Sequence, residues 1–343
     1  MLEEFVFAVM ASVKFRIDMK SFACLVFIAA TAWAISDTFN SHVLAQSKTT
    51  IHPRTVLTIG VGDDNWVLNA RGIAGLDDGT LLVSDKLGYC IKTFDAQGRN
   101  TGKYGKRGND AGEFRGPGPI DAFHNIVAVA DFASPRVQLF SKEFAHRLTF
   151  FAPGPIFDVA FDPDGMLWVG AVTGRKGQTL FQYDTSGRLR KTIPLRYSEG
   201  DEFDDIFSLT ISASRDIIVT YIVLNKIEIW NVYGQFKTET ELPGIIGRPP
   251  KKTVSRGLFN KGLEVPEGNI SWGAAVDPRG NIYVLSAEYS EHPNQDVFVF
   301  DPTGKYLTQF CLPSPASYIW IDPRGSLFTV ENHRTILKQY RLE

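Results

Sequence analysis

The chain has 343 residues, of which 44% are hydrophobic and 12% aromatic, and its formal net charge is -2. This length accommodates one large all-β domain or two ordinary domains, and the apolar content is enough to fill a core. The near-neutral charge argues against a general nucleic-acid binder, which needs an excess of positive charge to contact phosphates. Three cysteines and six scattered histidines form neither a disulfide framework nor a linear metal-binding motif.

The first 45 residues have the pattern of an export signal. The apolar run Phe22–Ile35 follows three basic residues, Lys14, Arg16 and Lys20. A charged region followed by a hydrophobic one is typical of a secretory signal peptide. The small-x-small rule allows cleavage after Ala34 or after Ala45, and we prefer the second site.

The start and the fate of this segment stay open. Glu3 and Glu4 are unusual in an export signal, so the chain starts at Met1 or, as we prefer, at Met19. The alternative to cleavage is an uncleaved segment that tethers the protein to a membrane, although the apolar run is shorter than the ~20 residues of a spanning helix. We expect residues 1–45 to direct export to the periplasm or the cell exterior. Residues 46–343 are then a single domain with no stable membrane span once the signal is removed.

A repeated turn followed by an alternating apolar strand organises the chain from about residue 70 onward. Asp-Pro-x-Gly begins at Asp162, Asp277 and Asp322, and less regular copies begin at Asp77, His124 and Ser214. In such a turn the proline fixes φ at the first corner and the aspartate accepts nearby backbone N–H groups. The strands predicted after these turns are Leu81–Ser84, Ile126–Ala130, Leu167–Gly170, Ile217–Tyr221, Ile282–Leu285 and Leu327–Val330.

A second landmark ends the next strand of each copy with an aromatic residue followed by a polar one. These positions are Phe94-Asp95, Phe140-Ser141, Tyr183-Asp184, Trp230-Asn231, Phe300-Asp301 and finally Tyr340. A glycine then supplies a further hairpin turn in four copies, at Gly98, Gly187, Gly234 and Gly304. Four short antiparallel strands per copy are the unit of a propeller blade, and each blade buries its faces against its neighbours. The six copies predict an all-β, six-bladed β-propeller.

The last copy predicts how the ring closes. It stops at Leu342 after three strands, so its outermost strand is missing. The alternating segment Val56–Val61 precedes the first copy and can supply that strand. A ring closed by its own N-terminal strand leaves no open sheet edge.

The first copy and the stretch after it resemble an NHL repeat over residues 72–117. The matching segments are Gly72-Ile73-Ala74, Leu82-Val83-Ser84-Asp85, Phe94-Asp95-Ala96-Gln97-Gly98, Tyr104-Gly105-Lys106-Arg107-Gly108 and Gly112-Glu113-Phe114. The resemblance implies a six-bladed propeller of a secreted bacterial type. The NHL-like proteins include binding modules as well as lyases and lactonases, so this fold does not determine the function.

Three insertions indicate which part of the ring carries the function. The acidic connection Arg196–Ile206, the basic connection Pro243–Ile270 and the loop Ala287–Asp296 all fall on the face that surrounds the channel mouth. They border blades 3 to 5, so we expect a protein, peptide or glycan to bind on that part of the rim. The alternative is that long surface loops are simply tolerated there.

Candidate ligand-binding residues come from the starts of the first strands and from the third insertion. They are Arg71, Asp158, Phe207, Trp272, Tyr289 and His292. An arginine beside an aromatic ring suits an anionic or sugar-like ligand. For Trp272, packing between blades is an equally good interpretation.

Three carboxylates are candidate metal ligands. Asp85, Asp131 and Glu331 occupy one equivalent position, the end of the second strand, in neighbouring blades. Carboxylates around a channel mouth suit a hard cation such as Ca²⁺. The structural alternative is that each one accepts backbone N–H groups in its own blade.

The catalytic motifs that a sequence can reveal are absent from this one. The chain has no Gly-x-Ser-x-Gly, no Cys-x-x-Cys and no His-Glu-x-x-His. Cys90 and Cys311 fall in different blades, so we expect two free, buried thiols. The sequence favours a non-enzymatic binding or scaffold propeller without a cofactor, and the alternative is a metal-dependent hydrolase or lyase that uses Ca²⁺ or Zn²⁺.

Overall fold

The computed structural model describes residues 50–60, 67, 69–172, 178–196, 206–255 and 262–343. Within these ranges the regular secondary structure consists of β-strands, and no helix that could cross a membrane is found there. The segment interpreted as an export signal, residues 1–45, lies outside the described residues.

Six four-stranded antiparallel sheets form the six blades of a propeller ring, as predicted. Blade 1 consists of β2 (Ala70–Gly75), β3 (Leu81–Asp85), β4 (Cys90–Phe94) and β5 (Asn100–Tyr104). Blade 2 consists of β6 (Pro117–Phe123), β7 (Ile126–Asp131), β8 (Arg136–Ser141) and β9 (His146–Phe151). Blade 3 consists of β10 (Ile156–Phe161), β11 (Leu167–Val172), β12 (Gln178–Tyr183) and β13 (Leu189–Pro194). Blade 4 consists of β14 (Phe207–Ile211), β15 (Asp216–Tyr221), β16 (Ile227–Asn231) and β17 (Phe236–Thr240). Blade 5 consists of β20 (Ser271–Val276), β21 (Ile282–Ser286), β22 (Asp296–Phe300) and β23 (Tyr306–Cys311). Blade 6 consists of β24 (Ala316–Ile321), β25 (Leu327–Glu331), β26 (Ile336–Leu342) and β1 (Pro53–Ile59).

The N-terminal strand closes the ring. β1 pairs antiparallel with β26, from Pro53 opposite Leu342 to Ile59 opposite Leu337. The predicted segment Val56–Val61 was therefore the right one, but the strand begins three residues earlier and ends at Ile59. Gly60 has a φ of 99°, and a Cβ atom there would collide with the carbonyl oxygen of Thr335. The strand therefore ends at a position whose positive φ and close contact with Thr335 only glycine can accommodate.

The Asp-Pro-x-Gly turns are closed by their own aspartates. Asp162 accepts the N–H groups of Asp164 and Met166 at 3.0 Å, and the N–H of Gly165 donates to the Asp162 carbonyl oxygen at 2.9 Å. Gly165 has a φ of 78°, which glycine adopts without strain. The copies at Asp277 and Asp322 repeat this pattern, and each is followed by its predicted strand.

The core consists of six apolar clusters, one at each boundary between neighbouring blades. Alternation within β11 shows how one strand serves two boundaries. Leu167 and Val169 pack against blade 2, whereas Trp168 packs against blade 4. Successive side chains of a strand point to opposite faces, so each central sheet is buried on both faces.

The long connection between blades 4 and 5 contains a hairpin that the sequence did not reveal. β18 (Lys251–Ser255) pairs antiparallel with β19 (Gly262–Pro266), and the tip of this hairpin lies outside the described residues. Asn225 holds the start of the connection, because its side chain donates to the carbonyl oxygens of Leu242 and Ile245 at 3.0 Å. Asn225 is itself buried, so this anchor is well protected from water.

Candidate ligand-binding site at the channel mouth

A cleft of about 780 Å³ opens at the channel mouth, where blades 5, 6 and 1 meet. We call it the mouth cleft. Its walls come from the starts of β2, β20 and β24, from the β21–β22 loop and from the β25–β26 loop. Its lining side chains include Arg71, Trp272, Glu288, Asn294, Glu331 and Arg334.

β-Bulges direct Arg71 and Trp272 into this cleft. Ala70 pairs with Asp85 and Gly72 with Ser84, so Arg71 is the extra residue of a bulge in β2. Trp272 is the extra residue at the equivalent place in β20, between Ser271 and Gly273. A bulge re-aims a side chain at the edge of a sheet, and here it turns both residues toward the mouth.

Three cations at the mouth have no carboxylate within 4.0 Å in the part of the chain that the structure describes. Arg71 Nε donates to Asn69 Oδ1 at 2.7 Å, and Arg334 Nη1 lies 3.4 Å from the Ala70 carbonyl oxygen. Lys86 follows Asp85 directly and lies over the ring of Phe132, with Nζ 5.6 Å from its centroid. The three side chains are held by neutral groups, so their positive charge is not neutralised locally.

The pKa values of these cations show mutual repulsion. The pKa of Arg334 is lowered to about 10, chiefly by burial and in addition by the charge of Arg71. Burial lowers the pKa of Lys86 as well, and the charges of Arg71 and Arg334 add to the shift. Burial also lowers the pKa of Arg71. An anion bound among them would relieve both the repulsion and the loss of solvation.

Arg334 lies on an unusual stretch of backbone. Asn332, His333 and Arg334 have φ values of 46°, 53° and 72°, so three consecutive non-glycine residues are left-handed. This conformation costs roughly 1–2 kcal/mol per residue for L-amino acids. Thr335 closes the turn by donating from its hydroxyl to the Asn332 carbonyl oxygen at 2.7 Å, and Ala70 N–H donates to the Arg334 carbonyl oxygen at 2.8 Å. Strain of this kind is concentrated at functional sites, where it fixes a side chain in place.

The aromatic wall of the mouth cleft is fixed in orientation. Trp272 Nε1 donates to Asn294 Oδ1 at 2.6 Å, and the Arg334 guanidinium lies 5.6 Å from the indole centroid. On the other side of Arg71, Phe132 is 41% exposed, and the guanidinium lies 5.9 Å from its ring centroid. The mouth therefore combines fixed apolar surface with positive charge.

One acidic side chain at the far edge of the cleft is already engaged. Glu288 Oε2 accepts the Asn269 N–H at 2.8 Å. The other acidic lining residue, Glu331, forms an ion pair with Lys338 at 2.7 Å. Neither carboxylate neutralises Arg71 or Arg334.

The three predicted metal ligands are not brought together. Asp85 accepts the N–H groups of Asn69 and Gly88 at 2.9 and 3.1 Å, and Lys92 Nζ lies 3.7 Å away. Asp131 accepts the Arg115 N–H at 2.7 Å and an Arg136 N–H at 2.9 Å.

Glu331 is hydrogen-bonded by side chains instead of backbone N–H groups. It accepts the hydroxyls of Ser314, Thr329 and Tyr340 at 2.7 to 2.8 Å. Within the described residues these three carboxylates form no shared metal-binding group. The backbone N–H partners of Asp85 and Asp131 match the structural alternative, whereas Glu331 is held by side-chain hydroxyls.

The remaining predicted ligand-binding residues lie apart from the mouth cleft. Phe207 is only 2% exposed and packs in the core between blades 3 and 4, so its assignment to the ligand site is corrected. Tyr289 packs against the core between blades 4 and 5, and burial raises the pKa of its hydroxyl. His292 lies at the outer part of the β21–β22 loop, beside Asp296.

Asp158 lies one position deeper than the sequence alignment placed it. Phe157 is the bulge residue of β10, and Asp158 pairs with Gly170 inside the channel. Together with Asp121 it lines a narrow channel cavity of about 150 Å³. Its carboxylate accepts the N–H groups of Val159 and Leu209 at 2.9 Å, and Asp121 accepts the Phe161 N–H at 2.6 Å. These carboxylates connect the innermost strands of neighbouring blades.

The channel changes the acidity of both groups. Burial raises the pKa of Asp158 to about 7, and the nearby charge of Asp121 contributes in the same direction. Burial raises the pKa of Asp121 to about 6. Each carboxylate keeps part of its surface toward the lumen, but the strands around it exclude most of the water that would stabilise its charge.

Both thiols of the described region are free, as predicted, but they differ in exposure. Cys90 is buried, and burial raises its pKa to about 11. Cys311 is exposed at the end of β23, which corrects the expectation that both thiols are buried.

Comparison with known proteins supports the fold and leaves the family open. No protein-family model and no curated protein matches the sequence. A solved streptogramin B lyase is similar in structure, with 11% sequence identity and a TM-score of 0.56, over 87% of this chain and 100% of the lyase. A virginiamycin B lyase from Staphylococcus aureus is 12% identical with a TM-score of 0.54, over 85% and 100% of the two chains. A protein of unknown function from Bacteroides thetaiotaomicron is 14% identical with a TM-score of 0.57, over 86% and 76%.

These similarities establish a six-bladed propeller, and the NHL identity inferred from residues 72–117 stays a prediction. Sequence reasoning found Arg71 and Trp272 but missed Lys86, Phe132 and Arg334. The sequence did contain a signal for them, because each one comes one to three residues after a carboxylate at the equivalent end of a second strand. These carboxylates are Asp85, Asp131 and Glu331. Loops after the second strand of consecutive blades meet at the mouth, so aligning those loops would have revealed them.

Proposed function

We propose that this propeller is a binding protein that takes an anionic ligand in the mouth cleft between blades 5, 6 and 1. The observation that carries the proposal is that Arg71 and Arg334, which line the cleft, and the neighbouring Lys86 have no carboxylate partner among the described residues. A carboxylate or phosphate group would accept their N–H groups as charge-assisted hydrogen bonds. Like charges held this close are costly unless a ligand compensates them.

The shape of the cleft suggests a ligand with an apolar or planar part beside its acidic group. Trp272 presents a ring that is fixed by Asn294, and Arg334 holds the cationic side of the same surface. A volume of about 780 Å³ has room for a short acidic peptide or an acidic oligosaccharide. The predicted classes of partner, a protein, peptide or glycan, are retained, with an acidic group added.

A thermal-shift panel tests this proposal. The full chain is screened against glutamate-rich peptides, oligogalacturonides and inositol phosphates, each beside an uncharged counterpart. We expect the acidic member of at least one pair to raise the melting temperature and its neutral counterpart to have no effect. Affinity should also fall as salt is added, because the attraction is electrostatic and partly exposed.

Variants connect the binding to the cleft. Arg334→Ala and Arg71→Ala should each weaken binding about tenfold to a hundredfold, since a hydrogen bond to a charged group contributes about 1.5–3 kcal/mol. Arg324→Ala is the matched control, because Arg324 is an exposed arginine at the opposite end of the ring. Equal binding of charged and neutral ligands, or equal loss in Arg324→Ala, would contradict the proposal.

A second candidate function, a hydrolase or lyase, has one observation in its favour. Asp121 and Asp158 have pKa values near neutrality inside the channel, which suits groups that exchange protons. Their oxygens already accept backbone N–H groups, and the cavity beside them is small. Incubation of the anionic ligand with wild type and Asp158→Asn, followed by mass spectrometry, distinguishes the two functions. A product formed by wild type alone would favour catalysis.

Two earlier predictions are kept as proposals. Binding on the rim of blades 3 to 5 depends on loops whose central residues, 197–205 and 256–261, lie outside the described residues. The acidic residues of the first loop, Glu199, Asp201, Glu202, Asp204 and Asp205, and the basic Arg256 and Lys261 of the second are among these. We also propose that the propeller acts in the periplasm or outside the cell, on the basis of the pattern in residues 1–45.

A further inference from the structure

A second site lies on the outer side of blade 5, where three different donor groups converge. His292, Asp296 and Cys311 each offer a ligand atom, and these atoms all lie within 4.8 Å of one another. The β-sheet register explains part of the convergence, because Asp296 and Cys311 are direct cross-strand partners in β22 and β23. His292 reaches them from the β21–β22 loop, four residues before Asp296.

The carboxylate of this group is held in a fixed orientation. Asp296 is buried, with 2% of its surface exposed. Its Oδ2 accepts the backbone N–H of His292 at 2.8 Å, and its Oδ1 lies 3.1 Å from His292 Nδ1. A ring nitrogen and a carboxylate oxygen 3.1 Å apart are close enough for both atoms to contact one metal ion.

The Cys311 thiol takes no part in the ion pair between His292 and Asp296. Cys311 is exposed, and its Sγ lies 3.4 Å from the Leu312 carbonyl oxygen, which is a weak contact for a thiol. Cys311 Sγ lies within 4.8 Å of an Asp296 oxygen and of a His292 nitrogen, so a divalent cation held among these atoms would stabilise the thiolate and compensate the carboxylate.

The combination of donors selects the class of metal. A thiolate, an imidazole and a carboxylate suit a borderline ion such as Zn²⁺, whereas Ca²⁺ and Mg²⁺ prefer six or more oxygen ligands. Three protein ligands leave the fourth tetrahedral position for water.

We propose that His292, Asp296 and Cys311 form a binding site for a zinc-class divalent metal ion. The site is distinct from the three carboxylates Asp85, Asp131 and Glu331, which do not converge. It also has a structural consequence, because the loop that carries His292 includes Glu288 and Asn294 in the wall of the mouth cleft. A bound metal would attach this β21–β22 loop to strands β22 and β23. It would thereby also fix the Asn294 oxygen that orients Trp272.

Metal titration of the full chain tests the site directly. The protein is freed of metal with a chelator under reducing conditions and titrated with Zn²⁺, and with Co²⁺ as a spectroscopic probe. We expect one ion per chain, a thiolate-to-cobalt charge-transfer band and a higher melting temperature. Affinity should fall on acidification, because protons compete for all three ligands.

Single variants identify the ligands. Cys311→Ser should abolish the charge-transfer band, and His292→Ala should weaken Zn²⁺ binding on the order of 100-fold. Both residues are exposed, so the variants are expected to fold. Matched controls are Cys24→Ser, Cys90→Ala and His146→Ala, which should bind as wild type does. No uptake of metal, or uptake that survives both Cys311→Ser and His292→Ala, would overturn the proposal. Neither outcome bears on anion binding, which is measured by the ligand panel.

Discussion

The two ends of the propeller differ in how their charged side chains are satisfied. At the end that carries the Asp-Pro-x-Gly turns, which we call the turn face, each aspartate bonds to its own turn. Asp322 accepts the N–H groups of Arg324 and Ser326 at 2.9 and 2.7 Å. At the mouth, Arg71 and Arg334 approach each other from opposite ends of the chain and share no carboxylate among the described residues. The carboxylates of the turns are therefore neutralised within their own turns, whereas the positive charge at the mouth is not neutralised by a described carboxylate.

The channel between these ends has a third arrangement. Asp121 and Asp158 bond to backbone of the next blade, so they are satisfied, but they are buried and their pKa values are raised. The turn-face residue Asp95 shows the opposite shift, since the Arg99 N–H donates to its carboxylate and lowers its pKa. The same residue type therefore responds to acid in opposite directions in the two regions.

The largest expected effect is the pH dependence of the channel carboxylates. The folded-state pKa of Asp158 is about 7, above its unfolded value near 4, so between these pH values the folded chain keeps a proton that the unfolded chain has lost. The free energy of unfolding contributed by this group is then fully present below about pH 4 and falls as pH rises through 7. At 1.36 kcal/mol per pKa unit, the contribution is at most about 4 kcal/mol.

Urea unfolding of wild type and Asp158→Asn at pH 5 and pH 8 measures this effect. The free energy of unfolding of wild type, measured relative to that of Asp158→Asn, should be lower at pH 8 than at pH 5. Asp95→Asn is the control of opposite sign, because the lowered pKa of Asp95 stabilises the fold above pH 4 and is lost on acidification. A wild-type advantage over Asp158→Asn that grows from pH 5 to pH 8 would show that the channel carboxylate behaves like the turn carboxylates.

The next largest effect concerns the turn face. Asp162 accepts the indole N–H of Trp168 at 2.9 Å in addition to its two turn bonds, and both residues are buried. Asp162→Ala should destabilise the fold by about 3 kcal/mol, because a buried donor left without a partner costs about 1–3 kcal/mol beyond the lost turn bonds. Asp322→Ala is the matched variant without such an indole bond and should lose about half as much in urea unfolding. Equal losses would mean that the turn bonds alone carry the stability.

The smallest expected effect on stability separates strain from function at the mouth. His333 is the middle residue of the left-handed stretch, with a φ of 53°. His333→Gly relieves about 1–2 kcal/mol of backbone strain but adds flexibility to the unfolded chain, so stability should change by less than about 1 kcal/mol. Anion binding should weaken nonetheless, since Arg334 is held less firmly. Unfolding and ligand titration on the same sample check both parts, and unchanged binding would remove the functional role of the strained turn.

Much of the architecture was predictable because its signals are local. The turn at Asp162 and the strand that follows it, or the closing segment beginning near Val56, can be identified from a few neighbouring residues. The bulges in β2 and β10 could not be predicted, because an extra residue in a strand leaves no local mark when both neighbours fit the alternation. That single-residue shift is the reason that Asp158 lies in the channel and Arg71 at the mouth.

The sequence by itself determined the repeat, the number of blades and the closure of the ring, because each depends on contacts within one hairpin or between consecutive copies. Tertiary structure alone decided the candidate sites. Arg71 and Arg334 become neighbours only when blade 6 closes against blade 1, and Cys311 meets His292 only through the pairing of β22 with β23. Charge and metal affinity depend on distances in space, and the ring brings together residues that the chain keeps far apart.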